Sequence, residues 1–371
     1  MDLLKEFYRV ADDPCSYVRE LKEEGKRIIG YFCSYTPEEI LFASGAHPMR
    51  LFGTKGDISL ADAHLQAYSC SLIRGALEEA LSGKLDFLDG AVFPHTCDSI
   101  QRLSDIWRLN TGFAFFADVV LPVKLNTESA RQYMVDVLQK FRRDLETGLG
   151  LSISDEDLRS SVKTYNAVRG CLKRIYEMHA ADPGIITGRD MYTVMKASMI
   201  MDRDVLLERL TLLIDELKKP SPFKTAGKKR LLLAGSICDH PDVYGILEES
   251  GGVVVWDDLC TGSRYFEGII DEDADPVEAV ANRYLERAVC PAKHLSPTER
   301  GENLVALAKK YQVEGVIFLL LKFCDPHAFD YPYLKEYLDR EGIPGMLLEI
   351  EDQLPPEGQL RTRFETFVEM I

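Results

Sequence analysis

Hydrophobic positions along the chain gather into short continuous runs separated by stretches that are apolar on one side only. Residues 27–32, 90–93, 230–234, 252–256, 315–321 and 345–349 form such runs, and a weaker one lies near 119–122. Runs of this length bounded by Gly, Pro or Asp read as strands. Because they are continuous rather than alternating, they suit a parallel sheet covered on both faces.

The intervening stretches carry helical period. They cover 2–24, a segment from Pro37, 61–81 and 100–110, then most of 127–217. Within the last, Leu138, Phe141, Leu145 and Leu149 share one face, as do Val162, Tyr165 and Val168. Ser154 with Asp157 has the spacing of a capping start. The pattern restarts after residues 218–230, where two prolines and six basic residues in thirteen read as a solvated linker. Beyond it, helices are predicted at 243–249, 275–287, 297–311, 331–340 and from 357 to the end.

Strands and helices thus alternate on both sides of the linker. The fold class this predicts is α/β, with two Rossmann-like doubly wound domains built on parallel sheets and a helical insert between them. The divisions fall at 1–150 for the N-terminal helix and first α/β domain, 151–225 for the insert and linker, and 226–371 for the second α/β domain with its C-terminal helix.

Composition narrows the function. The 371 residues carry 44 Lys and Arg against 60 Asp and Glu, a net charge of −16. That argues against nucleic acid and against an anionic membrane surface as partners. The longest clean apolar run, 316–321, is far short of the ~20 residues a membrane span needs. The start, Met-Asp-Leu-Leu-Lys-Glu, lacks the basic and apolar regions of a signal peptide. A cytoplasmic location is expected, where thiols stay reduced. The chain nevertheless holds nine cysteines, an odd number that does not suit a disulfide framework.

Five of them, Cys33, Cys97, Cys238, Cys260 and Cys324, fall at or just beyond the C-terminal end of a predicted strand, the edge where open α/β sheets bind ligands. Cys97, Cys238 and Cys324 are each followed by Asp, a good N-cap, and Cys33 by Ser-Tyr-Thr-Pro-Glu-Glu, a capping sequence in which Thr36, Pro37 and Glu39 fit the roles. A thiol at a helix N-terminus is expected to have its pKa lowered by the dipole. No Cys-x-x-Cys occurs, so a zinc ribbon and the bacterial ferredoxin spacing both lack support, and any ligands would converge from different strands. Cys33, Cys70 and Cys97 precede the linker, and Cys260, Cys290 and Cys324 follow it. Cys15 and Cys171 lie in predicted helices and read as inert thiols, with Cys238 intermediate. Spacing alone leaves two readings open: a cluster site, or buried structural cysteines.

Several segments resemble one family. Cys33-Ser-Tyr-Thr-Pro-Glu-Glu-Ile40 followed by Ala43-Ser-Gly-Ala-His-Pro-Met-Arg50 is similar to the opening of the 2-hydroxyacyl-CoA dehydratase and benzoyl-CoA reductase family. Ala67-Tyr-Ser-Cys-Ser71, Thr96-Cys-Asp-Ser99 and Lys322-Phe-Cys-Asp-Pro326 resemble its cluster-binding segments, and residues 359–370 resemble its tail. The resemblance implies two Rossmann-like domains with an iron–sulfur cluster in the crevice between them. It also implies a separate ATP-hydrolysing iron–sulfur activator protein that supplies low-potential electrons. In keeping with this, no G-x-x-x-x-G-K-[ST] loop exists: Gly83-Lys84 is followed by Leu, Gly25-Lys26 by Arg and Gly227-Lys228 by Lys.

The family divides. Dehydratase and benzoyl-CoA reductase subunits hold a [4Fe-4S] cluster through about three cysteines and work as heterodimers, whereas the double-cubane branch holds an [8Fe-9S] cluster through about six in a homodimer. Asp257-Asp-Leu-Cys-Thr-Gly-Ser-Arg-Tyr-Phe266 and Val289-Cys-Pro291 add Cys260 and Cys290 to Cys33, Cys70, Cys97 and Cys324, making six. On that count the resemblance favours the double-cubane branch, an enzyme that reduces a small-molecule substrate. A single-cubane dehydratase-type subunit is the first alternative, and a non-catalytic electron carrier or redox sensor the second. Helix N-termini near Ser34, Asp98 and Asp325 would offer N–H donors to cluster sulfurs. His95, two residues before Cys97, is a candidate proton donor, with a structural hydrogen-bonded histidine as the bland reading. Glu38 and Glu39 read as first-turn helix residues, and His47 and Arg50 as residues shaping a substrate or domain contact.

Overall fold

The computed structural model describes residues 3–287, 290–293, 296, 298–351 and 353–371. Two four-stranded parallel sheets form its frame. The first comprises β1 (Arg27–Tyr31), β2 (Ala46–Arg50), β3 (Gly90–Pro94) and β4 (Phe115–Val119), in the order β2-β1-β3-β4. The second comprises β5 (Lys229–Gly235), β6 (Gly252–Asp258), β7 (Gly315–Leu321) and β8 (Gly345–Ile350), in the matching order β6-β5-β7-β8. Every pairing is parallel, so each sheet reverses winding direction beside its first strand, as doubly wound sheets do. The α/β reading of the sequence is borne out.

Local chemistry explains most element boundaries. The predicted helix over 2–24 is two helices, Leu4–Asp12 and Pro14–Glu23. Pro14 cannot continue a helix but suits the first position of one, and the Asp13 carboxylate accepts from the Ser16 N–H at 3.1 Å. The long helix Asp155–Ala181 starts with the expected capping box between Ser154 and Asp157. The last predicted strand of the first sheet lies earlier than expected, at Phe115–Val119 rather than near 119–122. Strand β2 escapes the sequence pattern, because Pro48 cannot donate to a ladder. It is tolerated because β2 is an edge strand, with Pro48 in register with Ile29.

Four helices, Glu128–Leu149, Asp155–Ala181, Gly188–Ser198 and Arg203–Glu216, occupy the stretch between the sheets in sequence. The longest packs against Arg203–Glu216, against Glu38–Ala43 of the first half, and against β6 and Pro276–Glu286 of the second. Apolar residues bury into two clusters; the larger draws on both sheets, including Ile28, Phe93, Leu232 and Ile317. Among the described residues no helix is long and apolar enough to cross a membrane.

A buried polar joint ties the halves together. The Glu38 carboxylate takes the Arg203 guanidinium at 2.9 Å and hydroxyls from Tyr165 and Tyr265 at 3.3 and 3.2 Å. Beside it, Glu39 pairs with Arg169, and the nearby Tyr284 hydroxyl, 3.5 Å from Glu39, donates to the Thr36 carbonyl at 2.7 Å. Both glutamates do sit in the first turn of Glu38–Ala43, but neither caps it: each is buried against cations from distant helices.

Candidate metal centre

The cysteines that follow strands lie where expected. Cys33 is two residues past β1, Cys97 three past β3, Cys260 two past β6, and Cys324 three past β7. Cys70, predicted inside a helix, instead stands as the N-cap of Ser71–Leu81. Cys97 and Cys324 are likewise the N-caps of Asp98–Asn110 and Asp325–Arg340, so the aspartates predicted as caps occupy the first helical position instead. None of these three caps is an oxygen. No side chain closes a cap hydrogen bond at any of the three: the N–H groups of Ile73 and His327 donate to the carbonyls of Cys70 and Cys324 at 3.1 Å, and the nearby helix-start amides, those of Ser99 and Ile100 at Cys97 among them, only favour the thiolate electrostatically. Cys290 lies in a tight turn closed by a bridge to Lys293, where the Ala292 N–H serves it; Val289 of its motif lies outside the described residues.

Electrostatics connect six of the nine thiols. Cys97 feels the charges of Cys70 and Cys33. Cys324 feels those of Cys70, Cys97 and Cys260, and Cys290 feels that of Cys260. Lys293 feels Cys33, Cys290 and Cys97 at once. The other three sit elsewhere: Cys15 beside Glu79 and Lys84, Cys171 beside Thr211, and Cys238 beside Asp239 and Lys55. All nine are free thiols.

The expectation of thiols acidified by helix dipoles is not met. Burial pushes Cys97 up to about 12 and raises Cys70, Cys290 and Cys324 as well. The backbone N–H groups pull the other way but lose to desolvation. Burial raises Cys15, Cys171 and Cys238 in the same direction, so the shift follows burial and does not by itself mark a ligand.

Cations stand ready around the six linked thiols. Lys293 is 1% exposed; burial lowers it to about 8, and its ammonium donates to the Leu121 carbonyl at 2.8 Å. Arg264 donates to the Cys260 sulfur at 3.3 Å. Arg50, also 1% exposed, donates to the Ser34 hydroxyl at 2.8 Å and the Cys260 carbonyl at 3.2 Å, joining the segments of Cys33 and Cys260. Arg50 further lines a cavity of about 280 Å³ with Phe52, Lys55, Tyr192, Lys196 and Asp239. Sequence reasoning missed Arg264 and Lys293; the only signal was their place four residues after Cys260 and three after Cys290.

Among the described residues no group of three or more His, Cys, Asp or Glu side chains is arranged to hold a metal ion. The sulfurs are within electrostatic reach of one another without converging on one point. A polynuclear cluster fits such a set better than a single ion, because each thiolate of a cluster takes its own iron. His95 is accounted for differently: its Nε2 lies 3.0 Å from Asp118 Oδ1, and Asp118 is also held by Ser104 and Arg108.

Comparison with known proteins decides the family. Residues 33–371 match the model of the 2-hydroxyglutaryl-CoA dehydratase, D-component family. The chain belongs to that family. It is 30% identical to the (R)-phenyllactyl-CoA dehydratase beta subunit of Clostridium sporogenes, over 99% of this chain and 98% of that one. It is 26% identical to the beta subunit of (R)-2-hydroxyglutaryl-CoA dehydratase of Acidaminococcus fermentans, over 100% and 99%, and 27% identical to a benzoyl-CoA reductase subunit of Thauera aromatica, over 95% and 93%. The D-component family is thus one of enzymes, dehydratases and reductases, and these relatives are each named as one subunit of a larger enzyme.

Proposed function

We infer that this D-component family member is an iron–sulfur reductase whose Cys33, Cys70, Cys97, Cys260, Cys290 and Cys324 hold a double-cubane [8Fe-9S] cluster. What supports this reading is that Ser34 and Arg50 both bind the Cys260 carbonyl, at 2.8 and 3.2 Å, tying the Cys33 and Cys260 segments of the two halves together, and that the six thiols lie within charge reach of one another while Cys15, Cys171 and Cys238 do not. When bound, the cluster would accept low-potential electrons from a separate ATP-hydrolysing activator and pass them to a small-molecule substrate.

The chain's own residues do the rest. Amides at three helix starts lie near Cys70, Cys97 and Cys324 and favour their thiolates without adding a cation. Lys293 and Arg264 bring positive charge to the remaining sulfurs. Cys70 and Cys290 are each 7% exposed, while Cys33, Cys97, Cys260 and Cys324 are half-buried. Arg50 reaches from the Cys260 carbonyl to the 280 Å³ cavity, whose walls include none of the six cysteines. His95, already paired with Asp118, would move a proton only through that pair. The division at 1–150, 151–225 and 226–371, a homodimeric assembly and a cytoplasmic location complete the reading.

The relatives favour a second reading. Dehydratase beta subunits and a benzoyl-CoA reductase subunit align over nearly the whole chain, which suits a [4Fe-4S] subunit of a heterodimeric 2-hydroxyacyl-CoA dehydratase or benzoyl-CoA reductase. Iron analysis of anaerobically prepared variants separates the two. Cys260→Ala or Cys290→Ala is expected to lose about half the iron in the six-thiolate case. Unchanged iron in both variants contradicts it.

A further inference from the structure

We propose that Arg264 is a positioning residue for the cluster: through its hydrogen bond to the Cys260 sulfur it sets the reduction potential of the Cys260–Cys290 side. The proposal rests on the six-thiolate reading above and adds to it a determinant of potential.

Arg264 lies in the short helix Ser263–Phe266 and is 3% exposed. Its guanidinium is fully engaged on one edge. Nε donates to Asp258 Oδ1 at 2.6 Å, and Nη2 to the Gly235 carbonyl at 2.6 Å and to the Asp258 carbonyl. Those contacts come from the ends of β5 and β6, so the fork is fixed by the sheet itself. At Gly235 itself, with φ of 148°, a side chain would strike the Leu319 carbonyl of β7, so glycine lets β5 and β7 pack there. The remaining edge, Nη1, is the one that meets the Cys260 sulfur at 3.3 Å.

The sulfur is held as firmly as its donor. The Cys260 N–H donates to the Ser236 carbonyl at 2.7 Å, and its own carbonyl accepts from Ser34 and Arg50. Neither partner can drift from the other. Asp258 is shared, since Arg300 takes its second oxygen at 3.3 Å and also pairs with Asp330. The charges of Arg264 and Arg300 both reach Cys290, and that of Arg264 also reaches Cys260. Two cations against Asp258 therefore stand beside the two thiolates that distinguish six ligands from fewer. A hydrogen bond from a cation to a ligating sulfur favours the more negative, reduced state, and a buried site magnifies the effect.

Removing the cation and removing its counter-ion should therefore move the couple in opposite directions, which a merely structural role would not do. Anaerobic redox titration followed by electron paramagnetic resonance reads this directly. Arg264→Met, with Asp258 still held by Arg300, is expected to keep its iron and to reduce at least tenfold less favourably, a couple about 59 mV more negative for one electron. Asp258→Asn is expected to shift positive. A wild-type couple in Arg264→Met, or shifts of the same sign in both variants, overturns the proposal. If Arg264→Met takes up no iron, Asp258→Asn decides alone: a positive shift supports the role, and an unchanged or more negative couple refutes it. Cys260→Ala separates this from the underlying reading. If that variant keeps full iron and the wild-type couple, Cys260 is no ligand and the six-thiolate reading falls. If it loses iron while Arg264→Met titrates as wild type, the role of Arg264 alone falls.

Discussion

The two sheets share one strand order and each half of the chain supplies three of the six linked cysteines, yet they treat their sulfurs differently. In the first half, Cys70 and Cys97 stand as helix N-caps beside amides that favour their thiolates, and the one nearby cation, Lys293, comes from the second half. In the second, only Cys324 follows that pattern. Cys260 and Cys290 instead face Arg264, with Arg300 behind. Backbone donors are fixed by the fold and carry no net charge, whereas arginines bring charge and must themselves be buried against aspartates. The same architecture thus offers one half that holds thiolates and another that also adjusts their charge.

The largest way to break this comparison is to part the halves. Arg203, 0% exposed, reaches Glu38 of the first half, and Glu38 also takes the hydroxyl of Tyr265 of the second. Arg203→Met should leave Glu38 buried without its cation and cost about 3–5 kcal/mol in denaturant unfolding. A loss under about 1 kcal/mol would mean the joint is not a joint.

Next comes pH. His47, on the edge strand of the first sheet, is buried and donates from Nε2 to the Ile200 carbonyl at 2.7 Å; desolvation, then the Arg203 charge, lower its imidazole from 6.5 to about 3. The unfolded chain therefore binds a proton that the folded one refuses between those values. Stability should fall as pH drops from 6.5 toward 3, by about 1.4 kcal/mol per unit from this group. His47→Gln should flatten the slope by one proton's worth in urea melts between pH 4 and 6; an unchanged slope contradicts the assignment.

A smaller effect sharpens the contrast by showing what ordinary oxygen capping is worth here. The Ser154 side chain takes the Asp157 N–H at 3.1 Å at the start of the bridging helix Asp155–Ala181. Ser154→Ala should cost about 1 kcal/mol and leave iron content untouched. Iron loss in this variant would show that the helix start reaches the cluster ligands.

Much of this was legible in the sequence where a local pattern decides the outcome. Continuous apolar runs such as Val316-Ile-Phe-Leu-Leu-Leu321, bounded by Gly and short in length, read as strands of a parallel sheet, and the structure has this one as β7. The family was legible for the same reason, because its motifs are contiguous. What failed were features settled at a distance. Strand β2 is hidden by Pro48, admissible only at a sheet edge that sequence does not reveal. Cys70 sits in a stretch whose period runs on, although the chain actually breaks between Ala61–Ala63 and Ser71–Leu81. Arg264 and Lys293 look like solvated charges until Asp258 and the Leu121 carbonyl are brought to them by folding. Glu38 and Glu39 look like first-turn dipole residues until Arg203 and Arg169 arrive from the helical stretch.

The claim beneath the comparison is that both halves ligate one cluster. Iron and acid-labile sulfide per chain, measured on anaerobically prepared protein, test it most directly. The account predicts about eight irons with about nine sulfides. About four of each would place the ligands in a single cubane and leave Cys260 and Cys290 without the role assigned to them here.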